Sequence, residues 1–341
     1  VGLASMLAPM YIAEIAPANI RGKLVSWNQF AIVGGMLVVY FVNYFIAKGQ
    51  TEEWINTTGW RWMFASEVIP CVLFLAFLFF VPETPRYLVM KGREDEARGI
   101  LKKLDGGDVT DVLSEIKSSL VAGNAPWLSF GGLVIMIGIA LSVFQQFVGI
   151  NVVLYYAPEI FRNMGSATDT SLLQTIIVGA INMGFTIIAI FTVDKFGRKP
   201  LQIIGAVGMT FGMAWLGLAF YLTDGSPGIG ALFAMLVYTA AFALSWGPVV
   251  WVLLSEIFPN SIRGAMSIAV AMQWIANLVV SWTFPMMNDS SWLNDKFHHG
   301  FAYWVYGVMS LLAALFMWKV VPETKGKTLE EMQHLWEKKK E

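Results

Sequence analysis

The long apolar stretches of the 341-residue sequence contain side-chain amides, among them Gln29, Gln145, Gln146, Asn151, Asn182, Gln273 and Asn277. Each amide offers two donors and two acceptor lone pairs, which lipid leaves unsatisfied. Sugar hydroxyls also donate and accept, whereas a carboxylate or phosphate ligand calls for arginine or lysine. Because these stretches contain almost no arginine or lysine, the amides indicate a neutral, hydroxyl-rich ligand. The alternative is that they hydrogen-bond helices to one another.

Aromatic residues accompany the amides and can supply apolar rings for the C–H faces of a pyranose. Gln145 and Gln146 are adjacent, so on a helix their side chains diverge by about 100°. We therefore expect one of them to bond a partner helix and the other to face a cavity. The aromatic candidates are Tyr155, Tyr156, Trp251 and Trp274.

Charged residues at the ends of the apolar stretches indicate a second kind of site. Glu14 and Arg21 are seven residues apart with a proline between them, and Glu256 and Arg263 repeat this arrangement. Pairing between two halves of the protein would form a reversible latch, because an exposed ion pair contributes only ~0–1 kcal/mol. The alternative is plain anchoring at the membrane surface. The candidate gating residues are Glu14, Arg21, Asp194, Arg198, Glu256 and Arg263.

Glu67 is an acidic residue within an apolar stretch, six residues after Arg61. An ionisable side chain at membrane depth is a functional candidate, so Glu67 is a candidate proton carrier. The alternative is a carboxylate that pairs with Arg61 or is hydrated by a cavity. The three histidines lack metal-ligand spacing, and the sequence has no nucleophile elbow or phosphate-binding loop. It therefore predicts no enzyme, no cofactor and no metal site.

The composition indicates that these residues lie in a membrane protein. Hydrophobic residues make up 56% of the chain and charged residues 14%, against about 45–50% and 25% in soluble proteins. The net charge of −1 indicates no nucleic-acid partner. A membrane-spanning helix needs ~20 apolar residues, and eight runs meet that length: 27–47, 60–81, 130–160, 171–193, 201–222, 229–254, 266–287 and 301–321.

Two runs depart from the length of one straight span. The run 130–160 is too long, and Gly149, Asn151 and Pro158 predict a break within it. A ninth apolar run, 1–15, has the length of half a helix. The sequence therefore predicts eight complete spans and one partial span.

Lysine and arginine are distributed unevenly among the connections between the runs. Connections 16–26, 82–129, 194–200 and 255–265, with everything from residue 319 onward, hold nineteen of the 23 basic residues. The positive-inside rule places this side in the cytoplasm. We expect a multi-pass protein of the cell (plasma or inner) membrane with a cytoplasmic C-terminus.

Two segments of the chain recur at nearly the same offset. Residues 14–22 resemble residues 256–264, and residues 81–84 are identical to residues 321–324. Agreement of the offsets, 242 and 240, indicates a duplicated unit. Between the long connection, 82–129, and the second Val-Pro-Glu-Thr the sequence has six spans. Before the first Val-Pro-Glu-Thr it has only two complete spans and one partial span. We expect a parent of twelve helices in two parallel repeats, with the ligand near the midplane between them.

This repeat predicts an all-α polytopic fold divided into four parts. The parts are 1–81 (partial helix 4 and helices 5 and 6 of an N-terminal bundle), 82–128 (a cytoplasmic linker of short amphipathic helices), 129–321 (a C-terminal six-helix bundle) and 322–341 (a cytoplasmic tail).

Several of these motifs together resemble the sugar porter family of the major facilitator superfamily. The resemblance covers the whole chain and is strongest to bacterial D-xylose–proton symporters across Phe144–Pro158, Ser245–Pro259 and Trp282–Met287. The motifs are Asp194–Lys199, the two Glu-x-x-Pro-x-x-x-Arg-Gly segments, Pro82–Arg86, Gln145–Asn151 and Pro322–Gly326.

The resemblance implies twelve helices in two bundles and a pocket lined by particular residues. In proton-coupled members an acid on the first helix is the main proton carrier, and that helix lies outside this sequence. One departure from the family pattern is Arg263-Gly264-Ala265, which lacks the lysine found in Arg21-Gly22-Lys23. If one residue is deleted there, the side chains of the following helix are rotated by about 100° unless the start of that helix absorbs the change. The implied pocket residues are Gln29, Gln145, Gln146, Asn151, Asn182, Trp251, Gln273 and Trp274, to which Tyr155 is added as an aromatic candidate.

We therefore expect a secondary transporter that moves a monosaccharide, D-xylose or a related pentose or hexose, with protons by alternating access. Its partners are a small neutral sugar, a proton and the lipid bilayer, and the protein is expected to be a monomer. A proton-independent uniporter of the same fold and a sugar sensor that does not transport remain alternatives. Because the first repeat is short by about three helices, we expect the 341 residues alone not to transport.

Overall fold

The structure is a computed structural model. It describes residues 7–8, 11–12, 15–16, 21–105, 109–121, 126, 128–129, 131–163, 168–225, 228–258, 260–325 and 336. Regular secondary structure in these residues is entirely helical. Eight of the helices are long and apolar enough to cross a membrane, which confirms the eight predicted spans.

The first two spans are α1, Arg21–Ala47, and α2, Glu52–Leu78. α2 begins earlier than the predicted residue 60 because Thr51 caps it, its hydroxyl oxygen accepting from the Trp54 amide at 3.3 Å. The chain then passes through one π-helical turn, Ile55–Gly59, before the apolar part begins.

The long connection contains three short helices: α3 (Pro85–Met90), α4 (Glu94–Asp105) and α5 (Thr110–Val121). Apolar residues at helical spacing place one face of each helix against the others. Their small shared core consists of Leu88, Ala97, Leu101, Val109 and Leu113.

The predicted break in the run 130–160 is present. α6 covers Gly132–Phe147 and α7 covers Ile150–Asn163. Between them Gly149 has φ +92°, and a Cβ atom there would lie 2.7 Å from Cγ of Tyr306. A residue with a side chain therefore fits neither the backbone conformation nor the space.

The remaining spans follow as a series of long helices. The predicted span at 229–254 is present as Gly228–Ile257, but it is interrupted at Ser245 (φ −131°, ψ −83°), a break that the sequence analysis did not predict. Pro248 has no N–H to donate to the Leu244 carbonyl, which favours a break at this place. The helices are α8 (Thr168–Phe196), α9 (Arg198–Leu222), α10 (Gly228–Leu244), α11 (Trp246–Ile257), α12 (Met266–Asn288), α13 (Ser291–Phe297) and α14 (Phe301–Lys319).

One large core joins α6 to α14, which we call the C-terminal bundle. It includes fully buried aromatic side chains such as Trp246, Tyr238 and Phe220. α1 packs along α8 at the side of this bundle. We call the end that holds the connections around residues 197, 258 and 322 the basic end, because Lys195, Arg198, Lys199, Lys319 and Lys325 lie there.

Candidate functional site

Gln145 is the centre of a group of side-chain amides contributed by α6, α7 and α12. It lies two residues before the end of α6 and is 3% exposed. Its amide nitrogen donates to the carbonyls of Trp246 at 2.9 Å and Gly247 at 3.3 Å. Its oxygen accepts from Nε2 of Gln273 at 2.6 Å. Gln145 thus connects α6 to the first turn of α11 and to α12.

The next two amides connect across the break between α6 and α7. Nε2 of Gln146 lies 3.5 Å from the Gln145 oxygen, and Nδ2 of Asn151 donates to the Gln146 oxygen. α1 reaches the same place, because a Cβ atom on Gly247 would lie 3.7 Å from Nε2 of Gln29. The structure therefore brings together five of the predicted amides, which lie on the four helices α1, α6, α7 and α12. We call Gln29, Gln145, Gln146, Asn151 and Gln273 the amide cluster.

The amide cluster keeps unused hydrogen-bonding capacity. Gln273 is 6% exposed and its oxygen Oε1 is buried with no hydrogen-bond partner among the described residues. An unsatisfied buried acceptor costs ~1–3 kcal/mol. A hydroxyl donor that enters the site would remove that cost. Gln273 also joins the cluster despite the missing lysine at residue 265, because a distorted 3₁₀ segment, Asn260–Ala265, precedes α12.

Four further residues were predicted to line the pocket, and three of them, Asn182, Trp251 and Tyr155, have no hydrogen bond to the amide cluster among the described residues. Asn182 is 3% exposed on α8, the helix that packs against α1. Trp251 is half-buried one turn beyond Gly247, and Trp274 is half-buried beside Gln273. Tyr155, on α7, is 52% exposed. Their assignment to the pocket stays a prediction.

Trp246 fixes the position of the backbone to which Gln145 binds. Its ring is fully buried, and Nε1 donates to the Gln202 carbonyl at 2.9 Å. The break at Ser245 turns the carbonyls of Trp246 and Gly247 toward Gln145. Sequence reasoning missed this support; the signal was the Ser-Trp-Gly-Pro segment at 245–248.

At the basic end, Arg198 and Glu256 form a bidentate ion pair. Nη2 and Nε of Arg198 lie 2.8 and 3.2 Å from the two carboxylate oxygens. The hydroxyl of Thr324 donates to the same carboxylate at 2.5 Å. The pair lies within the C-terminal bundle, and the spacing of charges in the sequence did not indicate Glu256 as a partner of Arg198.

Glu323 holds the start of α9 and was missed as a site residue. Its Oε1 accepts the amides of Arg198 at 3.1 Å, Thr324 at 3.0 Å and Lys325 at 2.9 Å, and Oε2 accepts the Lys199 amide at 3.0 Å. A carboxylate at a helix N-terminus is favourable because backbone donors and the helix dipole point at it. The recurrence of Val-Pro-Glu-Thr was the available signal.

The other gating residues lie wholly or partly outside the described residues. Glu14 lies outside the described residues, and for Arg21, Asp194 and Arg263 only the backbone is described. Their pairing stays a prediction.

The proton-carrier candidate Glu67 is exposed on α2, between its two α-helical parts. The alternative pairing with Arg61 is not observed. The Arg61 guanidinium donates to the Thr57 carbonyl and stacks 4.6 Å from the centre of the Trp60 ring.

Comparison with known proteins identifies the family. The family model described as sugar (and other) transporter matches residues 1–336. The D-xylose-proton symporter of Escherichia coli K12 is 65% identical over 99% of this chain and 69% of its own length. The chain belongs to the sugar transporter family. The glucose facilitated diffusion protein of Zymomonas mobilis is 46% identical over the whole of this chain and 73% of the relative.

Solved structures of this sugar transporter family have the same fold. The proton:xylose symporter XylE bound to 6-bromo-6-deoxy-D-glucose superposes with a TM-score of 0.83 at 64% identity, covering 98% of this chain and 71% of XylE. XylE is a member of the major facilitator superfamily. An inward-open structure of XylE from E. coli gives a TM-score of 0.81 at 62% identity, with similar coverage. The relatives are transporters and not enzymes.

Proposed function

We propose that this protein transports D-xylose, or a related pentose or hexose, together with protons by alternating access. The observation that carries the proposal is the buried oxygen of Gln273, an acceptor without a partner in the amide cluster. The 65% identity to a D-xylose-proton symporter supports the sugar and the proton. A 39% identical relative, the arabinose-proton symporter of Bacillus subtilis, supports a pentose as the substrate class.

In this proposal the amide cluster exchanges its internal hydrogen bonds for bonds to sugar hydroxyls. The Gln273 oxygen accepts a hydroxyl proton, and Gln146 and Asn151 release each other to bind the ligand. Asn182 lines the pocket, and the rings of Tyr155, Trp251 and Trp274 cover the C–H faces of the sugar. Since Gln29 lies on α1 and the other amides on the C-terminal bundle, the sugar is bound between the two parts that rock.

The gate is proposed at the basic end, which faces the cytoplasm by the positive-inside rule. Residues 1–81 belong to the N-terminal bundle, 82–128 to the linker, 129–321 to the C-terminal bundle and 322–341 to the cytoplasmic tail. The protein lies in the cell membrane and acts as a monomer. Pairing of Glu14, Arg21, Asp194 and Arg263 with the observed Arg198–Glu256 pair would close this end.

Uptake of labelled D-xylose into proteoliposomes tests the proposal. The protein is produced at full length from its genomic gene. The variant Gln146→Ala is compared with the control Gln50→Ala, which removes an exposed amide in the loop between α1 and α2. We expect Gln146→Ala to lose at least tenfold in affinity, about 1.4 kcal/mol, and Gln50→Ala to match the wild type. Equal uptake by the two variants, or no uptake of any pentose or hexose by the wild type, would refute the proposal.

Sugar uniport is the second candidate, favoured by the 46% identity to a facilitated diffusion protein. Addition of D-xylose to de-energised cells separates the two functions, because symport makes the external medium alkaline and uniport does not. We expect alkalinisation in the wild type. Glu67→Gln should abolish it while leaving counterflow intact if Glu67 carries the proton, and unchanged alkalinisation in this variant would remove Glu67 from that role.

A further inference from the structure

Prolines and the break near Gly149 remove the helical donor from several backbone carbonyls in the spans, among them three in α7, in α12 and at the break itself. In an α-helix the carbonyl of residue i accepts from the amide of residue i+4. Pro158 in α7 leaves the Leu154 carbonyl without this donor, and Pro285 in α12 does the same to Ser281. At the break, the Val152 amide donates to Gly149 at 3.1 Å, so the Val148 carbonyl is also left free. Lipid offers no replacement donor.

A tyrosine hydroxyl satisfies each of these three carbonyls. Tyr238 on α10 donates to Val148 at 2.8 Å, and Tyr156 on α7 donates to Ser281 at 3.0 Å. Both of these bonds lie within the C-terminal bundle. Tyr40 donates to the Leu154 carbonyl at 2.8 Å, and this tyrosine comes from α1.

The ring of Tyr40 is held where α1 crosses the C-terminal bundle. A Cβ atom on Gly179 of α8 would lie 2.8 Å from Cδ2 of Tyr40 and 3.1 Å from Leu37. The absence of a side chain at Gly179 thus lets α1 approach α8 closely. A second bond joins the same end, because the Thr168 hydroxyl donates to the carboxylate of Glu52 at 2.9 Å. This end lies opposite the basic end.

We propose that Tyr40 is a positioning residue that fastens α7 to α1 through the carbonyl that Pro158 leaves free. The inference rests on the proposed function, since α7 carries Asn151 of the amide cluster and Tyr155. When α1 and the C-terminal bundle separate at this end, the bond breaks and α7 is released. The hydroxyl of Tyr40 therefore stabilises the state that is closed at the end opposite the basic end.

The test measures the separation of α1 and α7 by pulsed electron paramagnetic resonance in lipid nanodiscs without sugar. Spin labels replace the exposed Phe45 on α1 and Arg162 on α7, and the exposed Cys71 is changed to serine. We expect Tyr40→Phe to increase the ratio of long to short distances about fivefold, as for one lost hydrogen bond. A distance distribution identical to the wild type would overturn the proposal.

Two control variants separate the Tyr40 bond from the loss of any tyrosine hydroxyl. Tyr238→Phe removes an equivalent bond within the C-terminal bundle, and Tyr44→Phe removes a hydroxyl one turn further along α1, where the ring faces the Lys48 ammonium at 5.7 Å. We expect neither to change the separation of α1 and α7. A change as large as that of Tyr40→Phe in either control would contradict the specific role of the Leu154 carbonyl.

Pro158→Ala supplies the missing amide donor and should rescue the Tyr40→Phe variant. In this background the Leu154 carbonyl is satisfied within α7, so Tyr40→Phe should change the distance ratio less than twofold. An effect of Tyr40→Phe that is equally large with alanine at 158 would overturn the proposal. These distances are measured without sugar, so the expected changes can be observed even if the wild type does not bind D-xylose. Failure to bind D-xylose would refute only the proposed function.

Discussion

The amide cluster and the basic end are both polar regions that are at least partly shielded from solvent, yet they use hydrogen bonds in opposite ways. At the basic end, the Glu323 carboxylate accepts four backbone amides and Glu256 accepts two bonds from Arg198 and one from Thr324. In the amide cluster no member is charged, and the Gln273 oxygen has no partner among the described residues.

This difference separates a region that holds its geometry from a region that can exchange partners. Charge-assisted bonds are stronger than neutral ones, and removal of one partner from the half-buried Arg198–Glu256 pair leaves a charge that is only partly hydrated. Neutral amides exchange one partner for another at smaller cost, since each bond contributes only ~0.5–1.5 kcal/mol net. A transient sugar site is therefore expected among the amides, and a rigid part of the C-terminal bundle, against which the proposed gate closes, at the basic end.

The largest effect is expected from Gln145→Ala. This change removes the donor to the Trp246 and Gly247 carbonyls and the acceptor for Gln273, at ~1–3 kcal/mol for each group left unsatisfied. Affinity for D-xylose, measured by calorimetry, should fall about 10- to 100-fold. Gln50→Ala is the control, and an unchanged affinity of Gln145→Ala would mean that the cluster is structural only.

A smaller and different effect is expected from Glu256→Gln. The neutral side chain cannot accept from both nitrogens of Arg198 and from Thr324, so the basic end closes less well. Net D-xylose uptake should fall about tenfold, an effect equal to ~1.4 kcal/mol, while the binding affinity changes less than twofold. If affinity falls as much as uptake, the basic end is not separate from the sugar site.

The smallest effect is expected from Glu323→Gln, which weakens the hold on the start of α9. A carboxylate at a helix N-terminus contributes up to ~2 kcal/mol in partly buried geometry. The midpoint of thermal unfolding should fall by about 2–4 °C with unchanged D-xylose affinity. Asp95→Asn, at the exposed start of α4, serves as the control and should not lower the midpoint measurably.

The sequence predicted the eight spans and the break near Gly149, because apolar length and a glycine with positive φ are local properties. It did not predict the break at Ser245, whose cause lies partly in Pro248 and partly in contacts with α9, where Gly205 leaves room for Ser245. It named the amides but not their partners, since Gln145 and Gln273 are 128 residues apart. The role of Glu323 likewise depends on a contact between segments that are far apart in the sequence, because it binds the amides of Arg198 and Lys199.

The most direct measurement is the structure of the protein expressed from its own gene with D-xylose bound. The account predicts sugar density between α1 and the C-terminal bundle, with hydroxyl oxygens about 2.7–3.2 Å from the amides of Gln145, Gln146 and Gln273. Sugar density elsewhere, with the amide cluster unchanged and Oε1 of Gln273 still unpaired, would contradict it.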